Sequence, residues 1–351
     1  MSKILVTGGA GFIGSHTCLA LLKKKYRIVV IDSFLNSSPI ALKRVKSILK
    51  INKDNDFIEI IRGDLRNYDA IENIFIKSKL EDFPITAVIH FAGLKSAANS
   101  IINPLNYWDN NVISTINLLK AMEKNNCRNI VFSSSASIYA YSNDKNLLNE
   151  DSLIRPGSPY GNTKATIEKI LENLSESCKE KWRIANLRYF NPIGADISGL
   201  LGEDPLGIPN NIFPFILQVA AGNIKELKVF GNDWPTVDGT AVRDYLHVLD
   251  LADGHIMALE YLLANKPRTI NLNLGTGKGS SVLDLINCFE EVNQIKVPYV
   301  FSEKRPGDIP YLVANNSKAL KILNWVPQRT LKEMCIDGWK WKKNNPNGYK
   351  E

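Results

Sequence analysis

The sequence predicts an α/β protein built on a doubly wound parallel sheet, and three observations carry that prediction. Short apolar runs alternate with helical segments over residues 3–190. A glycine cluster, Gly8-Gly9-Ala10-Gly11-Phe12-Ile13-Gly14, follows the first apolar run at once. After Asn191 the alternation gives way to a stretch rich in Gly, Pro and Asn. Repeated βα units imply parallel strands with helices on both faces, and ligands of such sheets bind at the carboxyl ends of the strands.

Composition narrows the function classes. A chain of 351 residues can bury a large core and form two domains. The net charge is +7, but no basic block is longer than Lys23-Lys24-Lys25. Dispersed positive charge suits an anionic small substrate, so no nucleic-acid partner is expected. Cys18, Cys127, Cys178, Cys288 and Cys335 are far apart in sequence and form no CxxC pair, the pattern of reduced thiols in a cytoplasmic protein. His16, His90, His247 and His255 show no metal-ligand spacing, so no metal is expected. No apolar stretch is long enough to span a membrane or to make a signal peptide, and no internal repeat is present.

Taken in order, Ile4-Leu5-Val6 reads as a buried strand, and the glycine turn leads into a helix that runs through Leu22. Ile28-Val29-Val30-Ile31 is the second strand and ends in Asp32. Glycines permit a tight turn and let the backbone approach a pyrophosphate, whose charge meets the helix N-terminus. Asp32 can accept hydrogen bonds from ribose hydroxyls and would repel a 2′-phosphate, which favours NAD over NADP. Three more strands end in candidate ligand residues. Residues 58–61 lead to Asp64-Leu65, a place for adenine, and residues 87–91 lead to Phe91-Ala92-Gly93-Leu94-Lys95, a place for the cofactor phosphates and ribose. Residues 130–132 lead to Ser133-Ser134-Ser135, with Ser135 ending the strand toward a nicotinamide. His90 reads as a buried residue satisfied by the backbone. Residues 104–122 read as one helix, and residues 184–187 as a strand leading to Arg188-Tyr189-Phe190-Asn191.

Tyr160 and Lys164 lie four residues apart at the start of another helix, behind Pro156 and Pro159, so they share a face. An ammonium beside a phenol favours the phenolate, which makes a base near neutral pH. Residues 191–240 read as loops and short elements of a lid or substrate domain. The domain division expected is 1–190 plus about 240–275 for the NAD-binding part, and 191–239 plus about 276–351 for the substrate part. Arg243 and Arg305 stand among rigid turn residues, and arginine forks match phosphate oxygens.

The run TGGAGFIGSHT at residues 7–17, Phe91-Ala92-Gly93-Leu94-Lys95, Ser133-Ser134-Ser135-Ala136, Tyr160-x-x-x-Lys164 and Arg188-Tyr189-Phe190-Asn191-Pro192 occur in one order with four later motifs. Those are Gly202-Glu203-Asp204-Pro205, Gly207-Ile208-Pro209-Asn210-Asn211, Phe230-Gly231-Asn232-Asp233 and Val242-Arg243-Asp244-Tyr245-Leu246-His247-Val248. The set resembles the extended short-chain dehydrogenase/reductase family and, within it, the UDP-glucose (UDP-galactose) 4-epimerases. The likeness runs from Ile4 to the end of the sequence, and the later motifs are the narrower ones.

The resemblance implies a Rossmann-type sheet with a smaller mixed α/β substrate domain, tightly bound NAD and a UDP-sugar substrate. It implies that Tyr160, as phenolate, takes the proton of the sugar 4-hydroxyl while the C4 hydride passes to NAD. Lys164 then lowers the tyrosine pKa and Ser135 relays the proton. The 4-keto sugar turns over and receives the hydride on its other face. By the same resemblance Gly8, Gly11, Phe12, Ile13, Gly14, Asp32, Asp64, Leu65, Phe91, Ala92, Gly93, Lys95, Asn110, Ser133, Tyr160, Lys164 and Tyr189 would contact NAD. Lys95, Ser135, Tyr160, Asn191, Asn211, Phe230, Arg243, Arg305, Asp308 and Leu312 would meet the UDP-sugar. A homodimer through the helices of residues 104–122 and 160–174 is implied as well.

Some positions depart from the family pattern, among them Ser33, Ser96-Ala97-Ala98-Asn99 and Ala140. Leu312 falls where a tyrosine in some members restricts the pocket to glucose and galactose. Either it merely packs, or it opens the site to UDP-GlcNAc and UDP-GalNAc. Two rival functions remain for comparison. A nucleotide-sugar 4,6-dehydratase would need an Asp-Glu pair after Ser135, where Ala136-Ser137 stand. A non-catalytic NAD-binding regulator would be free to lose Tyr160 or Lys164, and both are present.

Overall fold

The computed structural model describes the chain except residues 1, 52–56, 141–145, 179, 208, 210, 306, 307 and 351. Ile208, Asn210, Pro306 and Gly307 of the sequence motifs therefore lie outside the described residues. The chain divides into two compact units. The first comprises Met1–Ala140, Leu153–Arg188 and Ala252–Leu272, and the second Tyr141–Ser152, Tyr189–Leu251 and Asn273–Glu351.

The first unit is built on a seven-stranded sheet. Its strands are β1 (Lys3–Thr7), β2 (Arg27–Asp32), β3 (Ile58–Arg62), β4 (Ile85–His90), β5 (Asn129–Ser133), β6 (Arg183–Tyr189) and a last strand, Arg268–Leu274. They lie in the order Arg268–Leu274, β6, β5, β4, β1, β2, β3, and the pairs from β6 to β3 are parallel. This is the doubly wound arrangement the alternation predicts. Successive strands run outward from β1 to β2 and β3, then the chain crosses to β4 on the other side, so the turns after β1 and β4 flank the switch point where such sheets bind ligands. Ile4, Leu5 and Val6 are fully buried, as befits a central strand covered on both faces. The helix Pro159–Ser177 is started by Ser158, whose hydroxyl accepts from Gly161 N, and by Pro159 in its first turn. It buries Ile167 and Leu171 against the sheet, each worth about 2 kcal/mol by apolar area.

Several elements differ from the sequence expectation. The helix expected over residues 104–122 is divided into Pro104–Tyr107, a π-helical turn at Trp108–Ile113 and Ser114–Lys124. The wider turn shifts the phase of every side chain after it. Ser135 does not end a strand: β5 stops at Ser133, and Ser135 caps the short helical turn Ala136–Ile138. His90 is satisfied by side chains rather than by the backbone, between Thr7 Oγ1 at 2.7 Å and Thr115 Oγ1 at 2.8 Å. Residues 191–240 include a regular helix, Ile212–Ala220, because Phe213, Ile216 and Leu217 recur at helical spacing and are buried.

The second unit holds short strands. Val242–Arg243 pairs with Ser280–Ser281 and with Tyr311–Leu312, and Tyr245–His247 pairs with Asn191–Ile193. These pairings keep residues 242–247 in the second unit, so the return to the first unit comes at Ala252 rather than near residue 240. The core of the second unit gathers Phe213, Leu285, Phe289 and Met334 from the helices Ile212–Ala220, Val282–Asn293 and Leu331–Asn344.

Candidate active site

The three spaced glycines after β1 are present for different reasons. Gly8 has φ +68°, and a Cβ there would lie 2.7 Å from Ala92 N, so the turn after β1 meets the turn after β4 backbone to backbone. A Cβ on Gly14 would lie 2.4 Å from Gly8 O. At Gly11 the nearest atom to a Cβ is 3.4 Å away, an ordinary contact. The chain's own packing does not require glycine at Gly11. A bare backbone at the start of the helix Phe12–Lys23, with its amides pointing outward, is the cradle that a pyrophosphate needs. Phe12 and Ile13 form the first turn of that helix.

Asp32 is buried at the end of β2. Its carboxylate accepts from Ala10 N at 2.9 Å, Phe34 N at 2.9 Å and Ser37 Oγ at 2.8 Å, which ties the glycine turn to the neighbouring strand. Three bonds leave room in its acceptor capacity for a ribose hydroxyl. Asp64, beyond β3, holds Arg66 through both carboxylate oxygens, and Arg66 also reaches Asp109 at 2.7 Å. The Arg66 hydrogen bonds hold the Asp64 carboxyl below its ordinary pKa against the opposing effect of burial. Leu65 next to it is buried.

Beyond β4, Phe91 N donates to Thr7 O at 3.0 Å and Ala92 N to Thr7 Oγ1 at 3.3 Å. The loop then carries Gly93, Leu94 and the exposed Lys95. Asn111, which sequence reasoning missed, organises this loop. Its amide accepts from Leu94 N at 2.8 Å, donates to Leu94 O at 3.1 Å and donates to Thr163 Oγ1 at 2.9 Å, so it joins the loop to the Tyr160 helix. Asn110, the residue the resemblance assigns to NAD, is half-buried, and its side chain donates to Asn106 O at 2.8 Å. The Ser96 hydroxyl accepts from Asn99 N and caps the helix Ala97–Ile102, which gives that departure from the family pattern a local role.

Tyr160 is buried one turn before Lys164 on the same helix face. Lys164 Nζ donates to Ser133 O at 2.8 Å and lies 4.8 Å from the centre of the Phe132 ring. Burial pushes the Lys164 ammonium down to about 8, and the nearby Glu168 carboxylate opposes that shift. Ser135 Oγ accepts from Ser137 N at 3.2 Å. Behind these groups Glu168 is locked by Arg188, with Nη2–Oε2 at 2.6 Å, and by Ser134 Oγ at 2.5 Å. A buried carboxylate held so firmly is a fixed charge rather than a mobile one. No sequence signal pointed to it, since Glu168 looks like any outward charge on a helix. A Cβ on Gly161 would lie 2.6 Å from Ser137 O, which explains the glycine after Tyr160: the helix start is pressed onto the Ser135 turn.

In the second unit Arg243, Arg305, Asp308 and Phe230 come together. Arg243 pairs with Asp308 and donates to Val242 O and Ile309 O, both at 2.9 Å. Arg305 Nη2 donates to the other Asp308 oxygen at 3.4 Å, and its guanidinium lies 4.7 Å from the centre of the Phe230 ring. Two arginines share one carboxylate, so one positive charge is left over beside an aromatic face, a set that fits a diphosphate and a base. Leu312 pairs in register with Arg243, and Asn191 pairs with Tyr245. Asp244 braces this sheet from behind, accepting from Thr276 N at 2.7 Å, Gly277 N at 3.0 Å and Ala314 N at 3.2 Å. Asn211 precedes the helix Ile212–Ala220 and is exposed. Tyr189 closes β6 and is half-buried.

Site and fold together mark a nucleotide-cofactor enzyme, and the chain belongs to the NAD dependent epimerase/dehydratase family, whose model matches residues 4–273. It is 50% identical over 347 residues to the UDP-glucose 4-epimerase of Bacillus subtilis strain 168, covering 99% of this chain and 98% of that protein. It is 48% identical over 348 residues to the bifunctional UDP-glucose 4-epimerase and UDP-xylose 4-epimerase 1 of Pisum sativum, covering 99% and 97%. Among solved structures, the UDP-glucose 4-epimerase of Bifidobacterium longum in complex with NAD+ and UDP has a TM-score of 0.91 at 42% identity, covering 99% of this chain and all of that one.

Proposed function

We propose that this chain is a NAD-dependent UDP-hexose 4-epimerase that inverts C4 of UDP-glucose and UDP-galactose. The observation that carries the proposal is Lys164: a buried ammonium, fixed on Ser133 O one helical turn from Tyr160. Tyr160 takes the proton of the 4-hydroxyl and returns it after the sugar has turned, so it must be a reversible base. Lys164 supplies the positive charge that makes the phenolate accessible near neutral pH. Ser135 holds the same hydroxyl. When bound, NAD supplies a reversible two-electron acceptor for C4, which lets the carbon pass through a ketone. Gly11, the first turn of the helix Phe12–Lys23 and Asp32 would hold its pyrophosphate and ribose. Arg243, Arg305, Phe230, Asn191 and Asn211 hold the UDP portion, with Asp308 orienting the two guanidiniums. The carboxylate pair of a 4,6-dehydratase has no counterpart here: Ala136 and Ser137 form the turn after Ser135.

Leu312 brings a short apolar side chain next to Arg243, which favours acceptance of UDP-GlcNAc and UDP-GalNAc as further substrates. A homodimer is proposed too. Ile101, Ile102, Leu105 and Ile113 are exposed large apolar residues within and beside the implied helical segment. A cytoplasmic location rests on the free cysteines. Among the described residues no helix is long and apolar enough to cross a membrane. The assay is direct: purified protein is given UDP-galactose and, separately, UDP-GalNAc. Conversion of both is expected. Failure on UDP-GalNAc alone removes the broader specificity, and failure on both removes the epimerase assignment.

A further inference from the structure

Lys164 and Glu168 stand one turn apart on one face of the helix Pro159–Ser177, and both are buried, at 4% and 6% exposure. They grip consecutive residues of the chain. Lys164 Nζ donates to the carbonyl of Ser133, the last residue of β5, and Glu168 Oε1 accepts from the hydroxyl of Ser134 at 2.5 Å. Ser135, the proposed partner of the sugar 4-hydroxyl, follows directly. Glu168 is also held by Arg188 of β6. Arg188 Nε donates to Oε1 at 3.0 Å and Nη2 to Oε2 at 2.6 Å, a two-pronged pair, while Nη1 donates to the Tyr139 hydroxyl at 3.2 Å.

Two cations, Lys164 and Arg188, are thus buried in this region, and Glu168 is the carboxylate that faces them. Tyr139 follows the turn Ala136–Ile138, and His90 on β4 is kept neutral by burial. The helical segments Ala97–Ile102, Pro104–Tyr107 and Trp108–Ile113 also pack on this helix. Their titratable groups are Tyr107 and Asp109, and Asp109 is bound to Arg66. A buried ammonium with no anion near it tends to lose its proton. Burial already pushes Lys164 down to about 8, and Glu168 opposes that shift. Tyr160 and Lys164 titrate as a pair, and the form with the proton on lysine and the charge on tyrosine is the one that can act as base.

We infer that Glu168 is a positioning residue for the proton chemistry: its fixed negative charge keeps the proton on Lys164, so that Tyr160 is the member of the pair that gives its proton up. It acts through Lys164 and not on the substrate. The inference rests on the proposed roles of Tyr160 and Lys164.

The test uses the NAD-loaded protein. Lys164 is titrated by NMR of lysine labelled with 13C at Cε, with Lys164→Arg marking its signal, and kcat and KM for UDP-galactose are measured against pH. Glu168→Gln keeps the shape and removes the charge. It should lower the Lys164 midpoint by about one unit and move the alkaline limb of kcat down by a similar amount. KM should change by less than about twofold. Glu168→Asp keeps the charge and should restore the midpoint to within about 0.3 unit of wild type. A merely structural role would lower the melting temperature and leave Lys164 titrating at its wild-type pH, and that result overturns the inference. A Lys164 midpoint that falls while the kcat limb stays in place also contradicts it. If Glu168→Gln does not fold, the double variant Glu168→Gln/Arg188→Gln, which leaves no unpaired guanidinium, decides on the same criterion. The titration needs no turnover, so a protein that converts no UDP-hexose defeats the proposed reaction, while the Lys164 midpoint alone decides whether Glu168 holds the proton there.

Discussion

At the scale of single residues, the site depends on where charges are held. Lys164 is buried and pushed down to about 8, yet it remains a cation at neutral pH, with Ser133 O as its acceptor. Tyr160→Phe removes one hydroxyl and none of these contacts. Epimerisation should fall by roughly 10³-fold while NAD stays bound; turnover at the wild-type rate in that variant would dismiss Tyr160 as the base. His90 makes a second, independent prediction. Thr115 Oγ1 donates to Asn111 O at 2.5 Å, so it accepts from His90 Nε2, and Nδ1 accepts from Thr7. Burial, with a smaller contribution from Lys164, pushes His90 down to about 3. The unfolded chain takes up a proton near pH 6.5 that the folded chain refuses. Stability from this group is thus complete above that pH and declines as pH falls toward 3. Between pH 7 and 4.5, urea unfolding should show wild type losing about 2–3 kcal/mol more than His90→Asn. Equal losses would mean that His90 does not titrate as its burial demands. Tyr160 and Lys164 were legible in the sequence because helical spacing puts them on one face. Asn111 was not: two asparagines stand side by side, and only the π-helical turn decides which faces inward.

At the scale of elements, the glycine turn separates folding from binding. Gly14→Ala drives a Cβ into Gly8 O, whereas Gly11→Ala meets nothing closer than 3.4 Å. Gly14→Ala should therefore lower the melting temperature markedly, and Gly11→Ala should leave it near the wild-type value in NAD-free protein while weakening NAD at least about tenfold. Thermal denaturation and NAD titration of both variants check this, and a Gly11→Ala protein that binds NAD normally would remove the pyrophosphate from that cradle. Six strands of the first unit were readable because each is a short apolar run closed by polar or glycine residues, whereas the seventh, Arg268–Leu274, was not, because Asn271 and Asn273 interrupt its apolar residues. The second unit was less so. Arg243 and Arg305 stood out in the sequence as arginines among turn residues, but their sharing of Asp308 cannot be seen from spacing alone. Gly202-Glu203-Asp204 read only as one motif among several, because a local motif carries no sign that Tyr349, far along the chain, is what it binds.

At the scale of the whole molecule, the parallel sheet of β1 to β6 belongs to one unit and the arginine cluster to the other, a division already marked in the sequence where the alternation stops after residue 190. The positive excess of +7 suits a substrate that carries a diphosphate. The central claim is that C4 is oxidised and reduced within one active site, with the carbon-bound hydrogen leaving and returning and only the hydroxyl proton passing through Tyr160. Epimerising UDP-galactose in D2O and weighing the product tests this most directly. The account predicts UDP-glucose with no deuterium bound to C4 and no net NADH. Deuterium at C4, or a product that has lost water, would contradict it.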